Sequence, residues 1–404
     1  LHMTKQNSYL SRKSNPISQN SSMTKRPKHS FWRSNQKVES LDEDINLFIK
    51  WLDPTDEEKE KREALKERVF ELINSVCGVC KPTMFGSTST GLFTPMSDID
   101  IVVLDLEGDP REWFSLLATA IRSRPNVTQL KVLSEARIPL IKFVDTITGL
   151  QVDICFGVES GVKNTQLVID LLKKFPKAKP IFMIIKYLLS VLGLNEVYIG
   201  GLGSYALFLM VIAFLQQKKD TIAQTNSLGS LLIGFFCYYG IEFPYFTKGI
   251  SVDQGNLFLK ENRGWLDAAQ PHMLCIEDPN NPDNDVTRAS WNIYQIQALF
   301  HNCYRALSLP RNNFLATIFP PMHVPFLNRG NAKETKDLSD SFNNNSQPLS
   351  RAMLDDDWRS HQKTLAVSHK NVSPNSGKRK RTESKQERQR KKKTAKTHTA
   401  FSRH

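Results

Sequence analysis

Two aspartates one residue apart, Asp98 and Asp100, head an apolar run in the stretch FGSTSTGLFTPMSDIDIVVLD from Phe85 to Asp105. On an extended strand residues i and i+2 face the same side, so this spacing predicts both carboxylates at one metal site while Ile99 and Ile101 pack the other way. Oxygen ligands of this kind suit magnesium, or manganese in its place. A third carboxylate, Asp153 in LQVDICF, joins them if its strand neighbours the first. Three acids can hold two ions, and two ions stabilise both ends of an in-line displacement, one activating an attacking hydroxyl and the other neutralising a departing pyrophosphate. Asp153 is the natural residue to bring that hydroxyl to the first ion, as its general base. Gly86 allows close backbone approach to a phosphate, and the Ser87 hydroxyl with the N–H groups opening a short helix can bind triphosphate oxygens. A bare D-x-D usually marks a solvated strand end, and a lone Gly-Ser says less still. Their order, with a third Asp in a later strand, makes the signal specific.

Positioning these groups requires a sheet and something facing it. Short β-rich runs at 99–104, 127–133, 138–144 and 150–156, with one helix from Pro110 to Arg122, predict a small α/β unit. Ahead of it, apolar spacing from Leu41 to Ile49 and from Leu65 to Leu72, broken at Asp53-Pro54-Thr55, predicts a pair of helices. From Asn164 the pattern turns helical, near 164–175, 179–192, 203–217, 226–240 and 291–307. The fold class is therefore α+β: a small mixed sheet carrying the acids, a mainly helical second domain, and disordered basic tails. The tail boundaries follow from composition, because residues 1–38 and 327–404 hold too few aliphatics to offset the entropy of ordering.

The 404 residues carry a net charge of +13 and 40% hydrophobic content, enough for a packed core and a bias toward a polyanionic partner that charge alone does not name. Six scattered cysteines do not make a secreted disulfide framework, and Cys77 and Cys80 lack the further ligands of a zinc site. No apolar run is long enough to span a bilayer, and residues 1–19 lack the apolar core of a secretory signal. A soluble, intracellular chain is expected. Leu1 and His2 ahead of Met3 read as a cloning remnant or a fragment edge.

Four separated motifs, FGSTSTGLFTPMSDIDIVV, LQVDICF, GLNEVYIGGLGSYALFLMVIAFLQ and IEDPNNPDNDVTRAS, resemble the Trf-type non-canonical poly(A) polymerases and their Cid-type relatives in the DNA polymerase β-like nucleotidyltransferase superfamily. The resemblance runs from Leu41 to about Phe319. It implies a template-independent RNA 3′-adenylyltransferase with ATP and RNA 3′ ends as substrates. The implied division is a nucleotidyltransferase domain at 79–163 and a helical, PAP-associated central domain at 164–326, with helices of 39–78 packing on the latter. By the same resemblance Asp98, Asp100 and Asp153 form the metal triad, and Gly86 and Ser87 the phosphate turn. Lys186 and Ser204 contact the triphosphate, Tyr205 stacks on the incoming base, and Asn164 and Thr165 touch the ribose. Base choice lies in the loop Glu277–Arg288, where Asn284 takes the place of the histidine that contacts uracil in uridylyl-transferring relatives, which favours ATP over UTP. In the same loop Asp278 and Asp285 can equally serve only as turn and cap residues.

The pattern is also broken in places. Phe156-Gly157-Val158-Glu159-Ser160-Gly161 replaces an expected FN-x-x-NG, and Thr287 replaces a common Gly. A terminal uridylyltransferase or mixed-nucleotide tailing enzyme is the enzymatic alternative, and an inactive RNA-binding scaffold the non-enzymatic one. The basic run KRKRTESKQERQRKKKTAK from Lys378 to Lys396 reads as a nuclear-localisation signal and a non-specific RNA contact. The nucleus, nucleolus included, is the expected location. Relatives' partnership with a zinc-knuckle RNA-binding protein and an RNA helicase in nuclear RNA surveillance is implied by the resemblance alone.

Overall fold

The Ser40 side chain accepts from Glu43 N and starts helix α1 (Leu41–Leu52), with three acids in its first turn, where they favour the positive end of the helix dipole. A capping box between Thr55 and Glu58 starts α2 (Asp56–Cys77). In this computed structural model, residues 38–309 and 315–319 are described, except 96, 137, 158 and 220–226; the expected arm and tail fall outside them.

The two helices divide their allegiance. Leu41, Ile45, Phe48 and Trp51 of α1 join the core of the helical body. Leu65, Val69, Ile73 and Cys77 of α2 instead join the core of the catalytic sheet, which corrects the expectation that both pack on the central domain. The break at Asp53-Pro54-Thr55 lets one amphipathic stripe turn away from the other.

That sheet comprises β1 (Lys81–Phe85), β2 (Ile99–Leu104), β3 (Val127–Leu133), β4 (Leu140–Asp145) and β5 (Gln151–Phe156), ordered β1-β2-β5-β4-β3. Only β2 and β5 run parallel; the other pairs are antiparallel. A five-residue helix, α3 (Gly86–Thr90), follows β1. Ile99, Ile101 and Val103 of β2, Ile141 and Phe143 of β4, and Val152, Ile154 and Phe156 of β5 pack with α2 and with α4 (Pro110–Arg122). Side chains alternate along a strand, so Asp100, Lys142 and Asp153 necessarily project from the other face.

The helical body contains α5 (Ser160–Lys174), α6 (Ala178–Val191), α7 (Ser204–Gln217), α8 (Leu228–Cys237) and α9 (Ile293–Leu307). Helix α7 is buried at every position from Ala206 to Leu215, as suits the central helix of a bundle. A second, four-stranded sheet was not anticipated: β6 (Lys248–Ser251), β7 (Asn256–Leu259), β8 (Ile276–Asp278) and β9 (Asn281–Asp285), ordered β7-β6-β8-β9. Its strands are three to five residues long, and β9 reads NPDND, a turn composition with no periodicity. Among the described residues no helix is long and apolar enough to cross a membrane. Cys77 is buried in the core and Cys80 is half-buried, in keeping with their reading as packing residues.

Candidate active site

The β2–β5 register sets Asp100 opposite Asp153, and the β5–β4 register sets Asp153 opposite Lys142. Two acids and a lysine thus form one row across adjacent strands. Asp98 lies immediately ahead of β2. Oxygens from Asp98, Asp100 and Asp153 lie within 4.8 Å of one another, and this is the metal-competent group of acids, cysteines and histidines among the described residues.

Three carboxylates this close repel one another unless protons or cations intervene. Burial pushes the Asp100 carboxyl up to about 8, with Asp98 and Asp153 adding to the rise and Lys186 and Lys142 opposing it. Asp153 is also raised, by burial first and then by the charge of Asp98, against the hydrogen bond from Lys142. Lys142 Nζ sits 2.6 Å from Asp153 Oδ2. Burial works against the ammonium, but bonding to Asp153 and its charge outweigh that and raise the Lys142 pKa. Gln151 Nε2 donates to the other oxygen, Asp153 Oδ1, at 3.2 Å. Converging hard oxygen donors that resist ionising together fit a magnesium or manganese site.

Lys186 donates from Nζ to Leu92 O at 2.9 Å. Burial lowers its pKa to about 8, with Asp98 and Asp100 opposing and Arg62 reinforcing that shift. Its charge is therefore within electrostatic reach of the acids. Arg62, on α2, is 4% exposed and gathers main-chain carbonyls of the loop ahead of Asp98. Burial lowers its pKa to about 10, against the charges of Asp98, Glu58 and Asp100, so it stays cationic at neutral pH.

Gly86 has φ +69°, and a Cβ there would run into Asp100 Oδ2 and lie 3.1 Å from its Cγ. The close approach the glycine serves is therefore to the Asp100 carboxylate itself. Its N–H donates to Thr165 Oγ1 at 2.9 Å, and that hydroxyl donates to Gly161 O at 2.8 Å. Thr165 is buried, and its hydroxyl ties α5 to the phosphate turn. The Gly86 amide is occupied by this bond, leaving Ser87 as the turn's expected phosphate contact. In the same turn Thr88 Oγ1 is buried without a hydrogen-bond partner.

In the helical body, Ser204 is exposed at the first position of α7 and Tyr205 is half-buried beside it. Tyr205 OH donates to Asp278 Oδ1 at 3.1 Å, and Asn284 Nδ2 donates to Asp278 Oδ2 at 3.2 Å. Asn280 N also donates to Asp278 Oδ1 at 3.1 Å. Burial raises the Tyr205 phenol well above its ordinary range, and Asp278 adds to the rise. Asp278 therefore links the expected stacking ring to the expected base reader, a larger role than capping a turn. Asp285 does keep to local work, accepting from Ile276 N and Thr287 N through Oδ1. The Thr287 hydroxyl donates to Leu274 O at 2.7 Å. Asn164 Oδ1 accepts from Asn280 Nδ2 at 2.7 Å, so its side chain bridges α5 and the β8–β9 turn.

Lys142, Arg62 and the linking role of Asp278 went unread in the sequence. A lysine within the alternating run LIKFVD, and an arginine in the inward register 62-65-69-73-77 of α2, were the available signals.

Comparison with known proteins matches residues 41–170 to the model of the central palm domain of the mitochondrial-like poly(A) RNA polymerases, and residues 227–284 to that of the Cid1 family poly A polymerases. The poly(A) RNA polymerase cid14 of Schizosaccharomyces pombe is 34% identical over 291 residues, covering 69% of this chain and 42% of that protein. The inactive non-canonical poly(A) RNA polymerase protein Trf4-2 of Drosophila melanogaster is 36% identical over 280 residues, covering 66% of this chain and 68% of that protein. The chain spans less than half the length of the Schizosaccharomyces and Cryptococcus relatives. Among solved structures, the polymerase core of TRAMP, an RNA surveillance complex, aligns with TM-score 0.63 at 29% identity, covering 69% of this chain and 91% of that one. The Cid1 poly(U) polymerase shares the fold, with TM-score 0.60 at 23% identity, covering 69% and 98%.

Proposed function

We propose that this chain, which belongs to the Trf/Cid-type non-canonical poly(A) RNA polymerases, transfers AMP from ATP to RNA 3′ ends. The observation that carries the reading is the convergence of oxygens from Asp98, Asp100 and Asp153 within 4.8 Å of one another at the paired strands β2 and β5.

Magnesium or manganese ions held by these acids would activate the 3′-hydroxyl and neutralise the pyrophosphate. The chain's own residues do the rest. Lys142 holds Asp153 Oδ2 and so favours the ionised carboxylate that receives the hydroxyl's proton. Lys186 supplies positive charge near the triphosphate, and Ser87 and Ser204 offer hydroxyls to its oxygens. Tyr205, fixed through Asp278, gives the adenine a face to stack on, while Asn284 presents an amide to its edge.

Uridylyl transfer remains the rival chemistry, because the fold is shared with a poly(U) polymerase. ATP is favoured by Asn284, whose amide is held by Asp278. The inactive relative is the ground for the scaffold alternative; a complete triad argues against it, since clustered acids, one buried and two partly so, carry a desolvation and repulsion cost with no purpose in a scaffold. A zinc-knuckle RNA-binding protein and an RNA helicase are proposed partners, in line with the surveillance complex whose polymerase core this chain resembles. The basic run 378–396 lies outside the described residues, and nuclear localisation is proposed from its sequence.

Primer extension tests base choice. A labelled oligoadenylate is offered each of the four NTPs separately, and ATP should be used at least about tenfold better than UTP, one pocket contact's worth of discrimination. Preference for UTP would overturn the Asn284 argument and leave the transfer chemistry standing.

A further inference from the structure

Asp100 and Asp153 are fixed by strand pairing, but Asp98 is not. The β2–β5 ladder begins at Ile99 and the β1–β2 ladder ends at Asp100, so the third acid hangs from a loop that no sheet bond restrains. An acid outside the ladder needs another anchor if its carboxylate is to hold an ion.

We propose that Arg62 is the positioning residue for Asp98, and that its guanidinium fixes the carboxylate by gathering the main-chain carbonyls of the loop that presents it. One nitrogen, NH2, donates to Thr94 O at 3.1 Å and Pro95 O at 3.2 Å, and also to Ser97 O. The other, NH1, reaches Asp98 O at 3.5 Å. The guanidinium carbon lies 4.9 Å from the centre of the Phe93 ring, adding a cation–π contact. The loop curls to meet it: Ser97 N donates to Thr94 O at 3.0 Å, and Thr94 N donates to Ser97 Oγ at 2.9 Å. Turned inward, these carbonyls need donors, and the planar fork of an arginine supplies several from one side chain where a lysine supplies a compact ammonium.

The anchor is rigid because α2 is rigid. Arg62 sits one turn before Leu65 and two turns before Val69, which are packed in the core beneath the sheet, so the helix that carries the guanidinium is fixed to the strands that carry Asp100 and Asp153. All three acids are thereby referred to one frame. The role rests on the reading that the triad holds metal ions.

The test reads metal binding without nucleotide or RNA. Free Mn2+ is followed by electron paramagnetic resonance during titration of the full chain, in wild type, Arg62→Met, Arg62→Lys and Asp98→Ala/Asp100→Ala, with kcat and the KM for ATP measured alongside. Arg68→Met serves as the structural comparison: Arg68 lies on the same helix and pairs with Asp145 Oδ2 at 3.0 Å, away from the triad. Arg62→Met should weaken Mn2+ binding and lower kcat by about 10–100-fold, the usual effect of losing a group that orients a metal ligand. The KM for ATP should stay within about threefold, since this residue does not meet the nucleotide. Arg62→Lys should recover part of the loss, and Arg68→Met should lower stability with Mn2+ binding unchanged. Should Arg62→Met fail to fold, Arg62→Lys decides, because its ammonium can serve only part of the carbonyl set and intermediate affinity is required. Wild-type Mn2+ binding in the Arg62 variants would overturn the positioning role alone. Mn2+ binding lost in none of the variants, or absent from the wild type, would overturn the metal reading and this role with it.

Discussion

Alanine at Gly86 separates backbone strain from damage to the metal site. Gly86 has φ +69°, and an added Cβ would collide with the Asp100 carboxylate. Gly149, in the turn between β4 and β5, has φ +72° and nothing within 4 Å of its would-be Cβ. Both substitutions incur the left-handed penalty of about 1–2 kcal/mol, so both should lower Tm by about 2–8 °C, given about 2–4 °C per kcal/mol in a domain of this size. Only Gly86→Ala should move Asp100. Displacing a reacting group by about 1 Å costs about 100-fold in rate, so kcat for oligoadenylate extension should fall by about that factor in Gly86→Ala and hold in Gly149→Ala. Activity of Gly86→Ala within about threefold of wild type, at a Tm matching Gly149→Ala, would refute the claim that this glycine exists to seat Asp100.

The remaining expectations concern protons, hydroxyls and the base. The Asp100 carboxyl stands at about 8 rather than 3.8, so the folded metal-free chain holds a proton that the unfolded chain releases. Its stability should be greatest below about pH 4 in this respect and decline as pH rises through about 8, with Mg2+ offsetting the decline; calorimetry across that range, with and without Mg2+, reads both. Thr165→Val should cost about 1–3 kcal/mol in urea denaturation by stranding the Gly86 N–H, while Thr165→Ser retains the bond, and discrimination between ATP and 2′-deoxy-ATP should stay unchanged in Thr165→Ser. Asp278→Ala should free both Tyr205 and Asn284 and raise the KM for ATP by about tenfold with a smaller effect on kcat, measured by steady-state extension.

Much of this was written in local pattern. The runs 99–104 and 127–133 and the helix 110–122 coincide with β2, β3 and α4, because alternation and amphipathic spacing are read within a dozen residues. Asp98, Asp100 and Asp153 come together as expected, since period two puts Asp100 and Asp153 opposite each other once β2 and β5 pair. What escaped depends on distant partners. Strand β1, KPTMF, contains a proline that demotes a strand, and only its place at the sheet edge makes it acceptable. The allegiance of α2 is decided by which core its stripe meets. Thr165 offers a hydroxyl in sequence, and its partners Gly86 N and Gly161 O exist only after α5 docks. Lys142 becomes a site residue solely through the β4–β5 register.

Whether Asp98, Asp100 and Asp153 act together as the metal-dependent centre for the proposed AMP transfer to RNA is read by ATP-dependent extension of a labelled oligoadenylate in Mg2+ by the full chain and by Asp98→Ala/Asp100→Ala, both confirmed folded by their melting curves. The wild type should give a ladder of added adenylates and the double variant none, with the wild-type ladder abolished by chelation and restored by Mg2+. Extension that persists in the folded double variant would contradict that joint role.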